Sequence, residues 1–267
     1  MTEFSPFNIS SEKLNFSFTY FLLLIVFGLS LGSFAHATAQ RIVTNCDILF
    51  IRSSCPYCKK KLKWWMIIPL ISFIYLKGMC SFCFQKINVS YLLSEIFLSI
   101  VIVSYFALYN PFDAIFLSFL STAFLICFIT DWKSMNLHLP IMFLIIIFGI
   151  IYNICQNDTI FINFFNSIVG ALSGAILIFI ISKLYKILRG ENGFGEGDIW
   201  LLAGSGSLYN IDGVLIIFFI SVLTSAIYGL FLMSFGQINY KGAIPFGSFL
   251  SITSIIYPFI QLVNIIA

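Results

Sequence analysis

Eight stretches of this chain are candidates for crossing a bilayer, seven of them over about the length required, and nothing else in the sequence narrows the fold as strongly. A membrane span needs about 20 mostly apolar residues. Candidates fall near residues 17–37, 89–109, 113–131, 139–155, 162–188, 198–209, 212–235 and 244–266; the sixth is short and carries glycine. The chain is 60% hydrophobic and only 9% charged, where a soluble domain carries roughly a quarter charged residues. These features predict an all-α polytopic membrane protein of about eight transmembrane helices, without a large soluble domain. The expected division is an N-terminal segment with the first helix (1–37), a polar cysteine-bearing insertion (38–88) and a membrane core (89–267). The stretches NPFD at 110–113, QNDT at 156–159 and YNID at 209–212 read as tight turns.

Lysine and arginine fix the orientation. With the N-terminus outside, the inner segments hold Arg41, Arg52, Lys59, Lys60, Lys61, Lys63, Lys77, Lys86, Lys133, Lys183, Lys186, Arg189 and Lys241. Only Lys13 then lies outside. The sequence FAHATAQ at 34–40 imitates a signal-peptide cleavage site, but Glu3 and Glu12 accompany Lys13 where a positive cluster would stand. A retained first helix fits better.

Cys55-Pro56-Tyr57-Cys58 is followed, after 21 residues, by Cys80-Ser81-Phe82-Cys83. Two C-x-x-C knuckles at this spacing match a zinc ribbon, in which four thiolates close a tetrahedron and leave no open position. Such a site would be structural, and it would stabilise a loop too small for a core of its own. Two disulfides or four free thiols are the alternatives; an inner location argues against disulfides. Cys46, Cys127 and Cys155 lack partners at ligand spacing.

Ionisable residues at the ends of spans are costly and raise a functional question. Asp131 ends the third span, Asp198 follows the glycine-rich GENGFGEGD segment at 190–198, and Glu95 lies early in the second span. The orientation puts all three near the inner boundary. Two carboxylates brought together there would share one proton, so that the ionised one activates water while the protonated one polarises a peptide carbonyl. Gly195 and Gly197 would let the backbone bend into such a site. Both aspartates could equally be boundary residues, with Asp198 favouring a helix N-terminus by its charge. His36 and His138 read as interfacial hydrogen-bonders, and no G-x-S-x-G nucleophile motif is present.

The order of these motifs resembles the type IV prepilin peptidase family. GSFAHATAQR at 32–41 is similar to the family's opening at the end of the first helix, IPLISFIYLKGMCSFC at 68–83 to its second-knuckle stretch, and Glu95 falls where the family carries a glutamate. Asp131 occupies the first catalytic position, Gly195-Glu196-Gly197-Asp198 the G-x-G-D second, and IPFGSFL at 244–250, with Pro245 and Gly247, resembles the start of the last helix. The resemblance implies an aspartic endopeptidase of the cytoplasmic membrane. It would cut prepilin-like proteins at the cytoplasmic face, between a short basic leader and an apolar helix. Its partners would be those substrates and membrane lipid, not nucleic acid. Bifunctional members also methylate the new N-terminus from S-adenosylmethionine, an activity associated with the cysteine-bearing segment.

Three positions depart from the family pattern: His36 where asparagine is common, Trp200 where lysine is common, and Ile141 where an acid often follows Leu139-Pro140. Such variation resembles Gram-positive, competence-associated members and leaves methylation open. A basic leader would be repelled by the lysines of 41–88, so Glu191 and Glu196 are the better candidates to meet it. A non-catalytic assembly protein and a proton-coupled transporter are the competing functions.

Overall fold

The structure is a computed structural model that describes residues 18–46, 53–156, 159–190, 193–236 and 242–266. Lys13, Asp47, Arg52, Glu191, Lys241 and the middle of the 156–159 turn lie outside the described residues. Among those described, the helices are α1 (Phe18–Val43), α2 (Ile71–Tyr75), α3 (Ser90–Leu108), α4 (Pro111–Ser134), α5 (Leu139–Cys155), α6 (Ile160–Arg189), α7 (Glu196–Ser234) and α8 (Phe246–Ile266). Six are long and apolar enough to cross a membrane, and α5 is a shorter apolar helix. The chain is therefore a helical, multi-pass membrane protein.

The sixth and seventh expected spans form the single element α7, and its length explains why it cannot be one rod. A straight helix of 39 residues would run roughly 58 Å, about twice the hydrocarbon core. The break is at Asn210, whose backbone is non-helical (φ 58°, ψ −167°). A methyl group on Gly206 would lie 2.8 Å from Val214 Cγ2, although residues eight apart on a straight helix are separated by about 12 Å. The chain thus folds back at Asn210, inside the predicted YNID turn.

That reversal orphans backbone carbonyls in an apolar interior, where an unpaired polar group is costly. Neighbouring helices satisfy them. Asn153 of α5 donates from Nδ2 to the carbonyls of Ser207 (2.8 Å) and Leu208 (3.1 Å). Ser167 of α6 donates to the same Ser207 carbonyl at 2.5 Å. From α7, Tyr209 donates its hydroxyl to the Ser254 carbonyl of α8 at 2.8 Å, and Ser205 pairs with the Ser254 hydroxyl at 2.7 Å.

The chain divides into two compact units, residues 1–126 and 127–267, with the boundary inside α4. In the second, Leu201–Tyr209 of α7 is buried without interruption and is flanked by α5, α6 and α8. Helix α6 meets α7 backbone to backbone through Gly170 and Gly206, the small-residue contact that lets membrane helices approach closely. In the first unit α1 packs on α3 in the same manner. A methyl group on Gly32 would lie 2.6 Å from Glu95 Cα. Ring contacts Tyr20–Phe106 and Phe27–Phe119 extend that packing.

Candidate active site and cysteine cluster

Within the second unit, three chain segments bring Asp131 and Asp198 to one place. Asp131 sits in the last turn of α4, which ends where Met135 adopts a left-handed conformation (φ 49°) and donates to the Asp131 carbonyl at 2.7 Å. Asp198 sits in the first turn of α7. Gly190 (φ 75°) closes α6 in a left-handed cap, and Gly195 then serves as the N-cap of α7. The third segment is Ile244–Ser248, which opens α8 at Phe246.

Gly247 measures how close the two carboxyl groups are. A methyl group there would lie 3.0 Å from Asp198 Oδ1 and 3.1 Å from Asp131 Cγ. Both acids thus border one point, and only a residue without a side chain leaves that point open. Each aspartate is tethered through one oxygen. Asp198 Oδ2 accepts the Gly195 N–H at 3.0 Å. Asp131 Oδ2 accepts the Ser248 N–H at 2.6 Å and the Ser248 hydroxyl at 2.9 Å. Oδ1 of each takes no hydrogen bond among the described residues. Asp198 therefore does what a boundary residue does, capping a helix N-terminus with one oxygen, while its other oxygen faces the second acid.

Two residues at this site carry no signal as acids, bases or ligands. Ser248 is buried and is the residue after the PFG triplet; as the first polar residue of the last helix it could have been singled out. Leu137, in the loop after α4, fills the space beside two glycines. A methyl group on Gly197 or on Gly247 would lie 2.8 Å from its side chain. Gly197 thus accommodates Leu137. Phe194 packs edge-on against Phe246 (4.9 Å), holding the glycine-rich segment to α8. Trp132 stacks on Phe128 (5.9 Å) and contacts Tyr228 (5.4 Å).

Of the other positions singled out, Pro245 is buried and its carbonyl accepts the Ser248 N–H at 3.2 Å. Trp200 lies on Phe143 of α5 (5.1 Å), and Ile141 is buried in α5. Glu196 is exposed at the start of α7. His138 Nδ1 is buried without a hydrogen-bond partner among the described residues, unlike the hydrogen-bonder expected there.

In the first unit, Glu95 is buried in α3 and accepts the Leu70 N–H at 2.8 Å. Leu70 has φ 59°, a strained conformation for a branched residue, and it starts α2. Glu95 thus fastens the cysteine-bearing segment to α3. One turn along α1 from Gly32, His36 Nδ1 pairs with the Ser94 hydroxyl (3.1 Å), and its ring lies 3.9 Å from that of Tyr91.

The four cysteines Cys55, Cys58, Cys80 and Cys83 converge, with all sulfurs within 4.8 Å of one another. Cys55 and Cys83 sulfurs are 3.8 Å apart, far beyond a disulfide bond of about 2.05 Å. That spacing matches the edge of a tetrahedron with metal–sulfur bonds of about 2.3 Å. The two knuckles repeat one local fold. Lys59 donates to the Cys55 carbonyl (2.8 Å) and Phe84 to the Cys80 carbonyl (2.9 Å). Both Lys59 (φ 55°) and Phe84 (φ 57°) are left-handed. Burial pushes the Cys80 thiol up, but hydrogen bonds from the Phe82 and Cys83 backbone and from neighbouring thiols bring it down to about 7. For Cys83 the Gln85 backbone bond lowers the thiol, while burial and the other three sulfurs push it up to about 11. Four thiols this close need a cation to ionise together, and the cluster could hold a metal ion, with a geometry that fits structural zinc.

The fold and these two centres define a polytopic membrane protein with a paired-carboxylate site and a four-cysteine insertion, the attributes of a membrane-embedded aspartic peptidase. Comparison with known proteins places it more closely. The profile of the bacterial peptidase A24 N-terminal domain matches residues 26–109 and that of the type IV leader peptidase family residues 118–230. The chain belongs to the type IV leader peptidase family. It is 28% identical to a prepilin leader peptidase/N-methyltransferase of Vibrio cholerae, over 80% of this chain and 87% of that protein. It is 27% identical to the Bacillus subtilis protein of that name, over 88% and 92%. For a Burkholderia pseudomallei relative the identity is 29%, over 75% of this chain and 64% of the relative. No solved structure gives a significant match. The protein is thus an aspartic prepilin peptidase that cleaves leaders from prepilin-like precursors.

Proposed function

We propose that Asp131 and Asp198 are the catalytic pair, Asp131 acting as the ionised base and Asp198 as the acid. The carrying observation is the tethering pattern: Oδ2 of each acid is held, Oδ1 of each is not, and both acids border the point beside Gly247. Two donors from Ser248, at the positive end of α8, favour charge on Asp131. Asp198 has one donor and carries the shared proton. Asp131 takes a proton from a water molecule as the water oxygen bonds to the scissile carbonyl carbon. Asp198 gives its proton to the carbonyl oxygen. The tetrahedral diol then collapses: the C–N bond breaks, the amine leaves with a proton from Asp131, and the diol returns a proton to Asp198.

In this reading the N-terminus faces outward and the pair works at the cytoplasmic face, which puts the lysine- and arginine-bearing segments inside. Pro245 and Gly247 shape the site, Gly195 orients Asp198, and Cys55, Cys58, Cys80 and Cys83 hold structural zinc. Glu196 is poised to meet a basic leader. The reading extends to methylation of the new N-terminus with S-adenosylmethionine as donor, supported by the names of the relatives.

The test is the intact mass of a co-expressed prepilin with wild-type, Asp131→Asn and Asp198→Asn chains. Each variant keeps side-chain shape and removes the ionisable proton, and each should leave the precursor uncut. Normal cleavage with failed pilus assembly would favour an assembly role, and normal cleavage with lost proton flux a transporter. In the same experiment, an unmodified mature N-terminus would overturn the methylation reading.

A further inference from the structure

The cysteine-bearing segment presents an outer surface that neither the cysteine cluster nor peptide cleavage uses. Helix α2 turns its apolar residues outward. Ile71, Ile74 and Tyr75, at i, i+3 and i+4, share one face and are 64%, 65% and 75% exposed. Trp64 is 74% exposed, and the adjacent Trp65 packs edge-on against Tyr75 at 6.0 Å. Soluble surfaces rarely gather aromatic and branched side chains in this way. The charge beside this ledge has one sign. Residues 53–88 hold Lys59, Lys60, Lys61, Lys63, Lys77 and Lys86 and no aspartate or glutamate.

We infer that this ledge is an interfacial anchor that docks the cysteine-bearing segment onto an anionic lipid leaflet. Three features select lipid as the occupant. The segment is tethered between the membrane-spanning helices α1 and α3, so it stays at a bilayer surface. Tryptophan and tyrosine beside aliphatic residues suit the headgroup boundary, and lysines beside them suit anionic headgroups. The apolar surface is also continuous with the lipid-facing helices. A groove of about 340 Å³ is lined by Phe21 and Ile25 of α1, by Ile96 and Ile100 of α3 and also by Leu70, the residue from which α2 starts. The inference rests on the membrane assignment and is independent of the catalytic reading.

Hydrogen exchange of the full chain in nanodiscs tests it, read at residues 64–77, in phosphatidylcholine alone and in phosphatidylcholine with phosphatidylglycerol. Each lysine near an anionic surface strengthens docking roughly fivefold. Exchange should therefore slow at least tenfold with phosphatidylglycerol, and salt should reverse that slowing. Lys60→Gln/Lys61→Gln/Lys63→Gln should abolish the lipid difference, and Ile71→Asn/Ile74→Asn should restore fast exchange in both lipids. Zinc content of each variant confirms that the knuckles remain folded. Equal exchange in the two lipids, or protection that survives both sets of substitutions with zinc retained, overturns the anchor. Protection already complete in phosphatidylcholine and insensitive to the isoleucine changes would show the ledge covered by protein instead.

Discussion

Ser248 donates both its backbone N–H and its hydroxyl to a single oxygen of Asp131. The bond pattern makes a serine at the start of α8 the positioning residue for an acid at the end of α4. Hydrogen bonds to a charged group contribute about 1.5–3 kcal/mol each. Ser248→Ala removes one donor and should lower kcat/KM roughly tenfold or more. Ser248→Pro removes both, together with the N–H bond to the Pro245 carbonyl, and should be worse. Donors stabilise the ionised form, so without them the carboxylate takes up a proton more readily. The acid limb of the pH–rate profile should then move to higher pH, further for proline than for alanine. A uniform fall in rate with an unmoved limb would mean that Ser248 serves only folding.

The gap beside Gly247 gives a second expectation. In Gly247→Ala the added methyl group would stand 3.0 Å from Asp198 Oδ1 and 3.1 Å from Asp131 Cγ. It would occupy the place where the attacked carbonyl and water must meet. General acid–base action contributes roughly 10²–10⁴-fold, and most of that should be lost while the melting temperature in detergent changes little. A Gly247→Ala chain that cleaves prepilin at the normal rate would refute the assigned reaction site.

Much of this was legible in the sequence because hydrocarbon imposes strict rules. Apolar runs had to be helices, the cysteine spacing had to make two knuckles, and an acid at each of two span ends was conspicuous. What escaped detection depended on packing. Leu137 is an ordinary loop leucine, and only the fold seats it against Gly197 and Gly247. The boundary near 209–212 reads correctly as a turn. Its cost is invisible in the sequence, because the carbonyls that need Asn153 and Ser167 belong to a different helix. Glu95 looks like a third acid at the depth of the pair, whereas its carboxylate fastens Leu70.

Asn153 therefore has a structural role that can be measured. Its Nδ2 serves the carbonyls of Ser207 and Leu208. Asn153→Leu keeps the volume and leaves the Leu208 carbonyl without this donor in an apolar interior. A loss of about 1–3 kcal/mol is expected, seen as a lower unfolding temperature in detergent. Ser167→Ala should cost more in that background than on its own, since both side chains serve the Ser207 carbonyl and only the loss of both leaves it unpaired. Full additivity would argue that the two act independently of the fold-back at Asn210.

Metal removal should act on the first unit. Purified protein should carry one zinc ion, and Cys55→Ser/Cys80→Ser should carry none. Thiolates bind the metal, so acidification should weaken binding by protonating them. Chelation should speed hydrogen exchange across residues 53–88. Unchanged metal content in the double variant would remove the cysteine site from consideration.

Glu95 and Leu70 provide the last expectation. The 2.8 Å bond from the Leu70 N–H to Glu95 Oε2 holds a residue in a left-handed conformation that leucine rarely adopts. Strain of this sort costs on the order of 1–3 kcal/mol and persists only where surroundings enforce it. Glu95→Ala removes the enforcing acceptor, so Leu70 should relax and α2, which starts from it, should fray. Glu95→Gln retains an acceptor oxygen without the charge and should fall between the two. Exchange at residues 70–75 should rank alanine fastest, glutamine intermediate and wild type slowest, with zinc retained throughout. If alanine and wild type exchange alike, the Leu70 conformation is held by its own packing, and the buried acid of α3 needs another purpose.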